Sequence, residues 1–238
     1  MVRRREKRGA ILRFLRLMSA LILLMLVLSV AGTLPFRWMP PPTTAFMLQD
    51  QSGRVPVLYE WTDWPLLGTN AAMAVVAAED QKFADHLGFD LESIQDAVAT
   101  HGDGGPLRGA STITQQVAKN LYLWPGRSFV RKGIEAWFTT LIELFWPKQR
   151  ILEVYLNVAE FGPGLYGVPA ASRVYFEKTP ATLSRSEAAL LAAVLPNPRR
   201  LDASRPSAYV RERQHWIERH MQRMEREAWL TRLSRENP

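Results

Sequence analysis

The sequence contains no cysteine. Disulfide scaffolds, thiolate metal sites and cysteine nucleophiles are therefore excluded. Histidine is scarce: the four are His86, His101, His215 and His220, and no spacing among them makes a metal box. There is no phosphate-binding P-loop, no dinucleotide fingerprint and no nucleophile elbow. Internal repeats and low-complexity tracts are also missing. Acidic residues are absent from one long run, between Asp103 and Glu135. Net charge is absent from most of the chain. The formal charge of +7 lies wholly in residues 1–37, which hold eight basic side chains and one acid, and the remaining 201 residues are balanced. A balanced body argues against a duplex-binding surface, so no nucleic-acid partner is expected.

The 238 residues, 47% hydrophobic and 22% charged, are too apolar for disorder and long enough to bury one core without metals. Leu17 to Phe36 is a run of twenty residues without a charge. As a helix it spans roughly 30 Å, the hydrocarbon thickness of a bilayer. The basic cluster before it places the N-terminus in the cytoplasm and the rest outside. A cleaved signal peptide competes, with Ser29-Val30-Ala31 as cleavage site, and so does a buried core helix. The apolar run continues past that site, which favours an anchor. The expected division is a basic tail over 1–16, a transmembrane helix over 17–36, a linker with a short extended segment over 37–60, and one domain over 61–238.

Pro40, Pro41 and Pro42 stiffen the linker. Phe46 to Glu60 reads as extended, with Val55, Val57, Leu58 and Tyr59. Beyond it the pattern is helical. Thr69 or Asn70 is expected to cap a helix through Ala71–Asp80. Gly102–Gly109 reads as a mobile loop. Helices are expected over Thr112–Tyr122, Val130–Trp146, Lys148–Asn157 and Ala208–Leu230, with Phe161–Gly167 as a Gly/Pro loop. Ser184 with Glu187 makes a capping box before Ala188–Leu195.

Four segments carry chemistry. Glu79 and Asp80 stand together at a helix C-terminus, where the helix dipole disfavours anions, so something must compensate them or the site is functional. A glutamate half buried in an apolar wall has a raised pKa and suits general acid–base work; a solvated helix end is the plain alternative. Second, Ser111 or Thr112 caps a helix whose N-terminal N–H groups suit an anion, with Gln115 and Gln116 as neutral donors; ordinary capping explains the same residues. Third, the acid-free run contains Arg108, Lys119, Arg127, Arg131 and Lys132. Such a patch suits a compact polyanion such as a pyrophosphate, or anionic lipid headgroups. Fourth, Glu135 ends that run at the head of an apolar helix, placed to hold a cation in register or to ligate a divalent metal.

Together these segments resemble the family 51 glycosyltransferases, the peptidoglycan polymerases. Glu79-Asp80-Gln81-Lys82-Phe83 with His86 and Gly88 is similar to the motif E-D-x-x-F-x-x-H-x-G. Gly109 to Gln116 is similar to G-x-S-T-x-x-Q-Q, followed by Lys119 and Asn120. Arg131-Lys132 with Glu135 is similar to R-K-x-x-E, and Lys148 to Asn157 to K-x-x-I-L-E-x-Y-L-N. Glu187, Ala188, Leu191 and Pro196 resemble a fifth motif. The five run in order over residues 65–205. The chain ends at Pro238 without room for a transpeptidase domain, so it resembles the monofunctional branch.

The resemblance implies a mainly α, lysozyme-like helical domain with a small membrane-proximal lobe. It implies lipid II and the nascent glycan strand as substrates, in the bacterial inner membrane with the catalytic domain periplasmic, and other cell-wall or division proteins as partners. It implies inverting transfer to β-1,4-linked strands with release of undecaprenyl pyrophosphate. Glu79 is then the catalytic base and Glu135 the second catalytic carboxylate. Lys119, Arg127, Arg131 and Lys132 receive the pyrophosphate with Ser111, Gln115 and Gln116. Asp80, Phe83, His86, Thr112 and Asn157 support the motifs. No cofactor is obligatory; a divalent cation, Mg or Mn, at Glu135 is the one option left open. Two alternatives belong to other classes: a lytic lysozyme-type glycosidase, which needs no pyrophosphate patch, and a non-catalytic membrane-anchored scaffold, which tolerates loss of Glu79.

Overall fold

The structure, a computed structural model, describes residues 2–54, 56–93, 95, 111–126, 128–226 and 229. The Gly102–Gly109 stretch and Arg127 lie outside them. The chain divides into two compact units, Met1–Met39 and Pro40–Pro238.

The first unit is helix α1 (Val2–Thr33), which tightens into a 3-10 turn over Leu34–Arg37. Pro35 lacks an N–H and cannot continue the α-helical ladder. The segment Ile11–Arg37 has a mean hydropathy of 2.5, and by length and composition it can cross a membrane.

The second unit begins with α2 (Ala45–Leu48), capped by Thr44, whose hydroxyl accepts from Met47 N at 3.1 Å. Phe46 is therefore helical, not extended; a local cap overrides its β-propensity. After β1 (Leu58–Tyr59) and α3 (Trp64–Leu67) comes α4 (Thr69–Glu79). The cap expected at Thr69 or Asn70 is not there. The chain enters α4 from Gly68, and Asn70 Nδ2 instead donates to Leu183 O at 2.9 Å. Gly68 has φ +77°, and an added Cβ would stand 2.9 Å from the Ala181 backbone, so only glycine fits.

Next follow α5 (Ile113–Tyr122), α6 (Phe129–Phe145) and α7 (Lys148–Val158). Thr112 and Gln115 close a capping box on α5, and Ser128 caps α6. The stretch expected as a loop folds into a hairpin of β2 (Glu160–Gly162) and β3 (Leu165–Tyr166). Its arms of three and two residues are too short to show alternation. β3 pairs antiparallel with β2 and parallel with β1, in the order β1-β3-β2. The last described helices are α8 (Val168–Phe176), α9 (Arg185–Val194) and α10 (Ala208–Arg226). The Ser184–Glu187 capping box is formed as expected.

The fold class is mainly α. Its core is α4, where every residue from Ala71 to Ala77 is buried. A helix apolar on all sides has to be enclosed. It is enclosed by α9, buried from Ala188 to Val194, and by α10. Alanines on both sides let the axes approach closely. α5 packs on α6 and α7. Functional residues therefore gather where α4 ends, between α5, α7 and α10.

Candidate active site

The Glu79–Asp80 pair ends α4, and its compensation is now visible. Asp80 Oδ2 accepts from Ile113 N at 3.0 Å, so this carboxylate sits on the positive end of α5. Its other oxygen meets His86 Nε2 at 2.9 Å. Gly88 N donates to His86 Nδ1 at 3.1 Å, so Nδ1 accepts and Nε2 carries the proton toward Asp80. Asp80, Phe83 and Thr112 are buried, and they fix the loop on α5. Thr112 Oγ1 donates to Gly88 O at 2.7 Å. Gly88 has φ +81°, and a Cβ there would meet Thr139 Cγ2 at 2.7 Å.

Glu79 is held differently. Its side chain is only 13% exposed. Oε2 accepts from Gln116 Nε2 at 2.9 Å, and Oε1 faces Arg213 Nη2 at 3.4 Å. Gln116 is itself oriented, because Tyr155 O–H donates to its Oε1 at 3.0 Å. Burial pushes the Glu79 carboxyl above its ordinary value of 4.5, against the opposing pull of Gln116, Arg213 and Lys119. It is a carboxylate tuned upward inside a hydrogen-bonded frame, as a base working near neutral pH requires. Beside it opens a cleft of about 220 Å³, lined by Glu79, Asp80, Lys82, Asp90, Ser93 and Ser111.

A cationic group acts on Glu79 as well. Lys119 lies between the two candidate carboxylates, and Glu135 and Glu79 both act on its charge. Burial nevertheless lowers its pKa, with Arg131 and Lys132 adding to the depression. Glu135 is buried on α6, and it accepts from Arg131 Nη1 at 2.8 Å and from Lys132 Nζ. Residues i, i+1 and i+4 of one helix thus form a single ion cluster. Two cations already sit on that carboxylate, and a third would be repelled by both. No three acidic or histidine donors converge among the described residues. The residues at Glu135 do not fit a metal ion.

Of the sequence-expected residues, Glu79, Gln116, Lys119, Arg131, Lys132 and Glu135 come together, and exposed Ser111 lines the cleft. Gln115 does not join them: it is buried, and its Oε1 accepts from Thr112 N at 3.1 Å to close the helix cap. Asn157 is fully buried and bridges to Thr62, donating to its carbonyl at 2.9 Å and accepting from its N–H at 2.8 Å. Its place is in the frame, fastening the segment before α3 to α7. Sequence reasoning missed Arg213, Tyr155 and the pair Lys148–Glu143. Arg213 lies 134 positions from Glu79, in a helix dense with charge, and nothing local marks it. Lys148 Nζ donates to Glu143 Oε1 at 2.9 Å and to His86 O at 2.6 Å, and lies over the Phe83 ring. A lysine opening the fourth motif was the available signal.

Residues 57–222 match the family described as Transglycosylase. The chain belongs to that family. It is similar to the biosynthetic peptidoglycan transglycosylase of Stutzerimonas stutzeri (strain A1501), 51% identical over 227 residues, covering 93% of this chain and 94% of that one. The protein of the same description from Pseudomonas putida (strain W619) is 53% identical over 211 residues, covering 86% and 89%. That from Pseudomonas entomophila (strain L48) is 51% identical over 225 residues, covering 92% and 95%. As a transglycosylase the chain is a glycosyltransferase of peptidoglycan synthesis, and its helical domain is the family's lysozyme-like one. The apolar α1 fits membrane anchoring.

Proposed function

We propose that this transglycosylase polymerises lipid II with Glu79 as its general base. The acceptor's hydroxyl oxygen attacks the donor's anomeric carbon. The bond from that carbon to the pyrophosphate oxygen breaks with its electron pair, and the hydroxyl proton passes to a Glu79 oxygen. One displacement turns an α-linked donor into a β-1,4 linkage. A sugar hydroxyl is a poor nucleophile, so a base within hydrogen-bond reach contributes about 10²–10⁴-fold. The leaving pyrophosphate gains charge as the bond breaks and needs cations already in place. Lys119, Arg131 and Lys132 supply them, and Glu135 holds the last two by ion pairs. Arg127, by its place in the sequence, is assigned to the same group.

One observation carries this reading: an upward-tuned carboxylate shares its site with a lysine that a second, doubly ion-paired carboxylate also acts on. A lytic enzyme has no use for that cation group. The basic tail before the apolar run supports an orientation with the N-terminus in the cytoplasm and residues 37–238 periplasmic, anchored in the inner membrane.

The test is polymerisation of purified lipid II by Glu79→Gln. The expected loss is at least about 10²-fold with the fold intact. A near wild-type rate overturns the assignment. Incubation with finished peptidoglycan gives no cleavage if the enzyme is synthetic; release of soluble fragments reverses that conclusion.

A further inference from the structure

α10 comes last among the described helices and lies outside all the motif segments, yet it reaches the catalytic carboxylate. Arg213 Nη2 sits 3.4 Å from Glu79 Oε1 and also donates to Ala78 O at 3.1 Å. The second contact satisfies one of the carbonyls left open at the C-terminus of α4. A single nitrogen therefore ties both the backbone and the side chain of the α4 end to α10. Arg213 Nε is buried without a hydrogen-bond partner among the described residues. A buried unpaired donor is costly, so the Nη2 contacts have to outweigh it.

We propose that Arg213 is a positioning residue for Glu79, bracing one carboxylate oxygen from α10 while Tyr155 and Gln116 brace the other from α7 and α5. The inference rests on the reading of Glu79 as base. The two braces differ in kind. Gln116 is neutral and fixes direction; Arg213 brings charge and favours the ionised form that accepts a proton. Lys119 also favours it, but Lys119 belongs to the pyrophosphate group, so among the described residues Arg213 is the cation assigned to the base alone.

The surroundings leave few competitors. Asp80 is a like charge and opposes ionisation. Tyr155 is buried and pushed well above its ordinary value, so it stays a neutral donor. α9 packs on α4, but its Arg185 pairs with Glu225 and its Glu187 with Lys178. On α10, His215 faces Glu218, and the His220 ring lies tilted at 31° against that of Trp216.

The experiment is the pH dependence of kcat/KM for lipid II polymerisation by the full-length enzyme in detergent. Wild type, Arg213→Gln, Arg213→Lys and Glu79→Gln are compared, with Tm measured for each. Glutamine keeps a donor for Ala78 O and removes the charge. The expected result for Arg213→Gln is an acid limb moved up by about one pH unit. Its rate on that limb falls about tenfold, and recovers toward high pH. Arg213→Lys restores the limb toward wild type. An unshifted Arg213→Gln limb beside an inactive Glu79→Gln overturns the brace and leaves the base standing. A lowered Tm with an unshifted limb overturns it likewise, since Arg213 would then only hold the helices together. An active Glu79→Gln overturns the base itself.

Discussion

Glu79 works against the stability of the protein that carries it. Its folded pKa lies above 4.5, chiefly through burial. The folded state therefore binds this proton more tightly than the unfolded chain does. The stability it contributes is full below about 4.5 and is lost as pH rises through the raised value. Glu79→Gln removes that loss. At pH 7 the variant should melt higher than wild type, and the gap should close as pH falls toward 4. Melting curves from pH 4 to 8 read this directly; a variant equally stable at both ends would show that the carboxylate carries no strain. Glu135 gives a second residue-scale expectation. Its oxygens hold Arg131 and Lys132, an arrangement that leaves no place for a divalent ion. Polymerisation by chelator-treated enzyme in metal-free buffer should match the untreated rate. A rate restored only by added Mg or Mn would contradict the ion-cluster reading.

The elements differ in how far they could be read from the chain. α5, α6 and α7 were legible from apolar spacing that recurs within a few residues, helped on α5 by the cap at Thr112. The β2–β3 hairpin was not, since strands of two or three residues take their register from β1, a hundred positions earlier in the chain. The Glu79 and Glu135 segments were legible as motifs, whereas Arg213 and Tyr155 depend on helices meeting in space. Two expectations follow at this scale. Gly88 combines φ +81° with a wall 2.7 Å from its missing Cβ. Gly88→Ala should cost about 2 kcal/mol or more and lower activity with it, because the same loop carries His86. Denaturant unfolding measures the first effect. α6 buries Glu135 and exposes Phe129 at 99%, Val130 at 72% and Leu144 at 71%. Such a face suits the acyl boundary of a bilayer. Val130→Asp with Leu144→Asp should weaken binding of the protein to lipid vesicles. Both positions are exposed, so stability should change by less than about 0.5 kcal/mol, and the rate in detergent should hold. Undiminished vesicle sedimentation would show that α6 does not touch lipid.

At the scale of the whole molecule the charge distribution and the chemistry belong together. The body is electrically balanced, and the excess of +7 lies before residue 38. A lipid-linked substrate does not leave the bilayer, so an enzyme tethered there meets it at a raised effective concentration. The tether is α1, whose Leu23 and Leu26 stand within the apolar window Ile11–Arg37. Each arginine placed near the centre of a membrane helix costs about 3 kcal/mol of insertion. Leu23→Arg with Leu26→Arg should therefore release the protein from membranes under an alkaline wash. The unit Pro40–Pro238 is untouched by these changes. Activity on lipid II dissolved in detergent should persist, while activity on lipid II in vesicles should fall about 10²-fold as effective concentration is lost. Equal losses in both assays would mean that α1 acts on the fold of the catalytic unit, and the tether argument would fail.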